Sequence, residues 1–182
     1  LIPSAQTRDK TAVSPTDMIR LCDELRTSLD FVLIDSPAGI ERGFKNAIAP
    51  ADQVIVITNP EVSAVRDADR IIGIVEAEEK NTPKLLINRL NQEMVRQNNM
   101  LSSEDVIDLL AIELIGIVPE DKNVIISTNK GVPIALDGKS LAGQAYQNIA
   151  HRLLGEDVPF LDFDRSSSFF NRISGVFGSG EK

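Results

Sequence analysis

A single cysteine, Cys22, excludes an intramolecular disulfide and any zinc cluster of the multi-cysteine kind, and that scarcity suits a reducing compartment such as the cytosol. Histidine is as scarce: His151 has no second His or Cys nearby, so it reads as a surface residue rather than a metal ligand. Apolar runs are short. None approaches the roughly 18 residues of a bilayer-spanning helix, and the first residues show no charged-then-apolar signal, so a chain that neither spans nor is exported is expected. Positive charge is in deficit, with 19 Lys and Arg against 27 Asp and Glu and a net charge of −8. Wrapping nucleic acid needs a basic face to neutralise phosphates, which leaves a basic protein or a small ligand as the expected partner.

What is present is 42% hydrophobic content over 182 residues, enough for one domain with a sizeable core plus tails. There is no initiator Met, and the opening Leu1-Ile2-Pro3 reads like the end of a strand begun elsewhere, so the N-terminus is expected to be a cut. Five short runs are continuously apolar rather than alternating: Phe31 to Ile34, Val54 to Ile57, Leu85 to Ile87, Leu114 to Val118 and Pro133 to Leu136. Each predicts a strand buried on both faces, the mark of a parallel sheet.

Helical patterns lie between these runs. Ser14 and Pro15 give a cap and a first turn, after which Met18, Leu21, Cys22 and Leu25 share one face, and Cys22 there reads as a small hydrophobe. A second helix is predicted from about Glu61 to Glu79, burying Val62, Val65, Ile72 and Val75 and leaving Arg66, Asp67, Asp69 and Arg70 on its outer face or flanks as a candidate docking surface. Ser102 with Asp105 forms a capping box, and Ser140 caps a last helix that stops at Gly155. Strand and helix alternate throughout, which predicts an α/β domain with helices on both sides of a mostly parallel sheet and ligands at the strands' carboxyl ends.

The strongest chemical signal is Phe31-Val32-Leu33-Ile34-Asp35-Ser36-Pro37-Ala38-Gly39. A buried strand here would bring Asp35 out at its carboxyl end, where a carboxylate holds the water shell of Mg²⁺ beside nucleotide phosphates, the Walker B arrangement. Gly39 would let the following loop bring its backbone close to a γ-phosphate. The plainer alternative makes Asp35 a turn-former or helix cap. Asp137-Gly138-Lys139-Ser140 superficially ends like a phosphate loop, but its first glycine position is Pro133 and the intervening segment reads as strand, so no phosphate site is expected there.

Longer wording adds to this. The stretches Pro3-Ser4-Ala5-Gln6-Thr7-Arg8-Asp9-Lys10, Asp35-Ser36-Pro37-Ala38-Gly39-Ile40-Glu41, Asn59-Pro60-Glu61-Val62-Ser63 with Val65-Arg66-Asp67, and Val118-Pro119-Glu120-Asp121 occur in this order. Together they resemble the MinD family, within the deviant Walker A group of P-loop ATPases that also holds the chromosome-partitioning ParA proteins. The resemblance runs from Leu1 to the C-terminal tail.

It implies a P-loop NTPase-like fold whose N-terminal unit is missing, with a partial nucleotide-binding domain over 1–160. It implies ATP and Mg²⁺ as cofactors and Asp35 as the Walker B carboxylate, holding Mg²⁺ through water, with Ser36 to Gly39 as the switch turn. Asn88 and Arg89 match the family's adenine-recognition position, and Pro119, Glu120 and Asp121 match the loop that closes over the base through backbone groups. Read alone, Asn88 is equally a strand-end cap and Pro119-Glu120-Asp121 a helix start. The family implies an ATP-bound homodimer, MinC-like and MinE-like partners, and a place on the inner face of the cell membrane or in the plastid stroma. Its glycine-rich phosphate loop with two lysines has no match here, so ATP is expected to bind poorly to this chain alone and turnover to be absent.

The tail over 161–182 reads as a flexible linker and a membrane-surface helix. Phe169, Phe170, Ile173, Val176 and Phe177 fall on one stripe at helical spacing behind Ser166-Ser167-Ser168, although Gly175, Gly178 and Gly180 weaken helicity. A helix packing on its own domain and an unstructured tail are the alternatives. Few basic residues accompany the stripe, so attraction to an anionic membrane should be weak. Three functions compete: an ATP-switched, membrane-cycling regulator of septum placement; a non-catalytic membrane-tethered adaptor; and a ParA-type partitioning ATPase, which the net charge and the tail disfavour.

Overall fold

The computed structural model describes residues 13–36, 39–40, 42–78 and 82–163. The opening Pro3 to Lys10 motif, Pro37, and the tail residues Phe169, Phe170, Ile173, Val176 and Phe177 lie outside them. The chain divides into two compact units, one formed by 1–54 and 71–83 and the other by 55–70 and 84–182.

The first unit contains α1 (Pro15–Arg26) and α2 (Arg42–Ile48) together with the later part of α3 (Val62–Ala77). Ser14 caps α1 as expected, in a reciprocal box with Asp17, and Pro15 occupies the first turn, where its missing N–H costs nothing. Of the predicted stripe, Cys22 is buried and Met18, Leu21 and Leu25 are half-buried. Phe44 and Ile48 of α2 pack with Val75 of α3, and Val54, Ile71 and Ile74 extend this cluster. Arg26 closes the unit by donating to the Pro50 carbonyl at 3.1 Å and to Asp52 at 2.8 Å.

The second unit holds a three-stranded parallel sheet in the order β1 (Ile55–Thr58), β2 (Lys84–Leu90), β3 (Leu114–Pro119). Parallel neighbours need long crossovers. Helix α3 follows β1, α4 (Gln92–Arg96) and α5 (Ser103–Leu110) follow β2, and α6 (Lys122–Asn129) and α7 (Leu141–Leu153) follow β3. The central strand is the most buried, with Leu85 and Ile87 fully enclosed. Leu86, Ile115 and Val118 form a core with Ala142, Ala145 and Ile149 of α7. A Cβ on Gly116 would collide with Ile149, so this glycine is what lets α7 lie directly on β3.

Three of the five predicted strands are present, within three residues of their expected bounds. The other two are not. Phe31 to Ile34 forms no strand: no described residue pairs with its backbone, and Phe31 and Leu33 are 64% and 90% exposed. Pro133 to Leu136 is a turn rather than a strand, because Pro133 brings no N–H and the next residues close short-range bonds, Leu136 N–H to Pro133 O at 3.1 Å and Asp137 N–H to Ile134 O at 2.9 Å. Within α3, buried Val65, Ala68, Ile72 and Val75 keep the helical spacing, but Val62 is exposed in the first turn instead of buried.

Candidate functional site

The carboxyl ends of β2 and β3 come together in the second unit, and a register change shapes them. Ile87 pairs with Ile117 and Leu90 with Pro119, so β2 takes three steps where β3 takes two. The extra residue falls at Asn88–Arg89, a bulge that re-aims side chains at the strand's end. Arg89 accordingly has φ 58, a left-handed conformation that costs a non-glycine residue about 1 kcal/mol.

Glu120 ties this bulge to β3. Its carboxylate accepts from Asn91 Nδ2 at 2.8 Å and from Arg89 at 3.4 Å, while its own N–H donates to the Leu90 carbonyl at 2.9 Å. The Asn91 hydrogen bond, helped by Arg89 against some desolvation, holds the Glu120 carboxyl below its usual range. The ion pair is half-exposed and worth little as stability, so its effect is positional. Asn91 also caps α4 through Met94 N–H at 3.1 Å. It was missed as a site residue, although an Asn directly before a short polar helix is a cap signal.

Asn88 and Arg89 therefore stand at the strand end next to Pro119, Glu120 and Asp121. Asn88 is half-buried, and among the described residues its carboxamide has no hydrogen-bond partner, which leaves a donor and an acceptor free at the sheet's ligand-facing end. That pair fits the edge of a purine. The Asp121 side chain is engaged elsewhere: it caps α6 through Asn123 N–H at 2.8 Å and accepts from Ser140 Oγ at 2.7 Å. Burial pushes its carboxyl up, but the Ser140 hydroxyl and the backbone N–H groups of Asn123 and Ala142 outweigh this and leave it lowered.

Ser140, itself buried, also accepts from Gly143 N–H at 3.1 Å, so its hydroxyl is taken up as the α7 cap. A Cβ on Gly143 would strike the carbonyls of Asp137 and Ile134. The Asp137 and Ile134 carbonyls thus lie against the start of α7, while Gly138 and Lys139 stay exposed.

Asp35 and Ser36 lie in the first unit, both exposed, after a run that makes no strand. Gly39 has φ 93, a conformation that side-chain-bearing residues avoid, in keeping with its predicted place in a turning loop. No group of three His, Cys, Asp or Glu suited to a metal occurs among the described residues. Arg66, Asp67 and Asp69 are exposed on α3, and none is ion-paired among the described residues. His151 is a surface residue paired with Glu156. No described helix is long and apolar enough to cross a membrane.

No family model matches the chain. Individual proteins do. The septum site-determining protein MinD of Synechocystis is 53% identical over 175 residues, covering 95% of this chain and 66% of its own length. MinD of Bacillus subtilis is 46% identical over 180 residues, covering 98% of this chain and 67% of its own. Among solved structures, the MinC:MinD cell division protein complex of Aquifex aeolicus superposes with a TM-score of 0.79 at 44% identity, over 82% of this chain and 63% of that one. MinD of Pyrococcus horikoshii complexed with Mg-ADP gives 0.67 at 25% identity, over 77% and 56%. The chain thus spans about two thirds of the length of its curated relatives, and at these identities and this coverage it belongs to the septum site-determining protein MinD family.

Proposed function

We propose that the chain carries the base-reading and partner-binding part of an ATP-dependent, membrane-associated regulator of division-site placement. The observation that supports it best is the bulged end of β2, where the Asn88 carboxamide has no partner among the described residues and sits beside a β3 loop held by Glu120. Asn88 would donate to and accept from the adenine edge, and the Pro119 to Asp121 backbone would close over it. ATP supplies a γ-phosphate whose presence or loss the Asp35 to Gly39 turn would sense. Asp35 would orient water in the Mg²⁺ shell.

The relatives support two parts of this reading. A MinD solved with Mg-ADP favours nucleotide and magnesium as cofactors, and a MinD solved with MinC favours a MinC-like partner. The exposed charges Arg66, Asp67 and Asp69, unpaired among the described residues, suit protein docking to MinC-like or MinE-like partners. Release by a MinE-like protein, ATP-dependent homodimerisation and anionic-membrane binding through Phe169, Phe170, Ile173, Val176 and Phe177 complete the cycle.

One observation favours a second reading, a non-catalytic membrane-tethered adaptor: Asp35 follows a partly exposed run that pairs with no described residue, so among the described residues it is not held at a strand's end. Asp35→Ala in a chain extended to the relatives' length and carrying a phosphate loop separates the two. Loss of ATP turnover, by at least ~10²-fold, supports the switch; no turnover in the extended parent supports the adaptor, and an unchanged rate in the variant makes Asp35 a turn residue. Charge reversal at Asp67 and Asp69 should weaken MinC binding with no change in melting temperature under either reading.

A further inference from the structure

Apolar side chains remain uncovered between α6 and the Ile134–Leu136 turn. Ile126, Val132, Pro133 and Leu136 line a groove of about 310 Å³ with Ile134 at its floor and Lys130 at its rim. Ile126 is 46% exposed, Val132 49% and Leu136 76%, and Ile125 beside them is also open. Contiguous apolar surface of this kind on a soluble domain marks a binding site.

The described chain ends on the same core. Leu161 packs on the cluster to which Ile134 belongs, so the polypeptide leaves the domain from the core that also underlies the groove. That exit point is fixed. Arg152 donates to the Val158 and Pro159 carbonyls at 2.9 Å each and to the Ile115 carbonyl of β3 at 2.9 Å, and its guanidinium lies 4.0 Å from the centre of the Phe160 ring. Beyond it, from Leu161 to Phe169, the chain reaches at most ~26–29 Å, so the stripe that starts at Phe169 stays close enough to meet the groove at millimolar effective concentration.

We propose that part of the Phe169 to Phe177 stripe occupies this groove when no lipid is present, so that the groove and a membrane surface compete for the same side chains. Docking lowers apparent membrane affinity by the fraction of tails left free. It also gives the chain a way to keep three phenylalanines out of water while it is off the membrane. The inference rests on the tail being a membrane-surface stripe, and the test separates the two ideas.

Leu136→Asp and Val132→Asp are surface changes that should leave the melting temperature intact. Each is expected to raise binding of the full 182-residue chain to phosphatidylglycerol-containing vesicles roughly ten-fold, and to speed trypsin cleavage at Arg172 in lipid-free solution to a similar extent. Leu109→Asp, at an exposed leucine outside the groove, should change neither. Equal vesicle binding and equal cleavage in parent and groove variants would overturn the proposal. So would a parent that sediments as a dimer and becomes monomeric on Leu136→Asp, since a second copy would then cover the groove. Loss of vesicle binding in Phe170→Asp/Phe177→Asp supports the tail as lipid anchor whatever the groove variants do; retention there removes the premise.

Discussion

Lys84–Leu90 and Phe31 to Ile34 are built from the same kinds of residue and live in opposite surroundings. The first is a central strand, hydrogen-bonded on both edges, with Leu85 and Ile87 fully enclosed. The second is chain that pairs with no described residue and leaves Phe31 largely exposed and Leu33 almost wholly so. An apolar run is only a candidate strand: neighbours on its edges satisfy its backbone and bury its side chains. The relatives are about half as long again as this chain, which leaves room for such neighbours in a longer protein.

The largest expected effect follows directly. Ile87→Ala should cost about 2–5 kcal/mol in urea unfolding, because it empties a fully enclosed site, while Leu33→Ala in the same chain should stay within ~0.5 kcal/mol. In a chain extended to the relatives' length, Leu33→Ala is expected to rise toward the Ile87 value. A large cost for Leu33→Ala in the present chain would show that the two segments are not different after all.

Next in size is the Asp121 cap. Its carboxyl is lowered in the folded state, so it contributes stability that is present above the unfolded carboxylate value of 3.8 and lost as pH falls through the lower folded value. Asp121→Asn should cost about 1 kcal/mol near neutrality, through the weakened α6 cap and the Ser140 contact, and should flatten the acid limb of a stability–pH curve below about pH 4. An acid limb identical to the parent's would assign that limb to other carboxylates.

The smallest effect concerns Arg89. Arg89→Gly removes left-handed strain worth about 1 kcal/mol and the partner of Glu120, so the fold should be unchanged or slightly firmer while the β3 loop loosens. Hydrogen exchange at Glu120 and Asp121 would report the loosening; unchanged protection would make Asn91 the sufficient tie.

Much of this was legible in the sequence. The capping serines at 14, 102 and 140 announce themselves because caps are local chemistry, and the three sheet strands because continuous apolar runs flanked by helical periodicity have few other uses. The bulge at Asn88–Arg89 was not legible. It is a property of two strands in register, and no residue type marks it: Arg is an unusual choice for a left-handed position. Pro133 to Leu136 misled for the same reason as Phe31 to Ile34, since composition cannot tell whether a ladder partner is present. Asn88 and Glu120 were found through their family resemblance; the free carboxamide and the Asn91 brace, which give those positions a physical reason, came from the geometry.

The reading of the β2 and β3 ends as an adenine site stands or falls on the Asn88 side chain. In a phosphate-loop-containing chain of the relatives' length, the Asn88 carboxamide N–H resonances, assigned by their loss in Asn88→Ala, are expected to shift on adding Mg-ATP and to shift much less with Mg-GTP, whose N7/O6 edge offers two acceptors and no donor for the amide oxygen. Resonances that stay put with Mg-ATP, or move equally with both nucleotides, would contradict it.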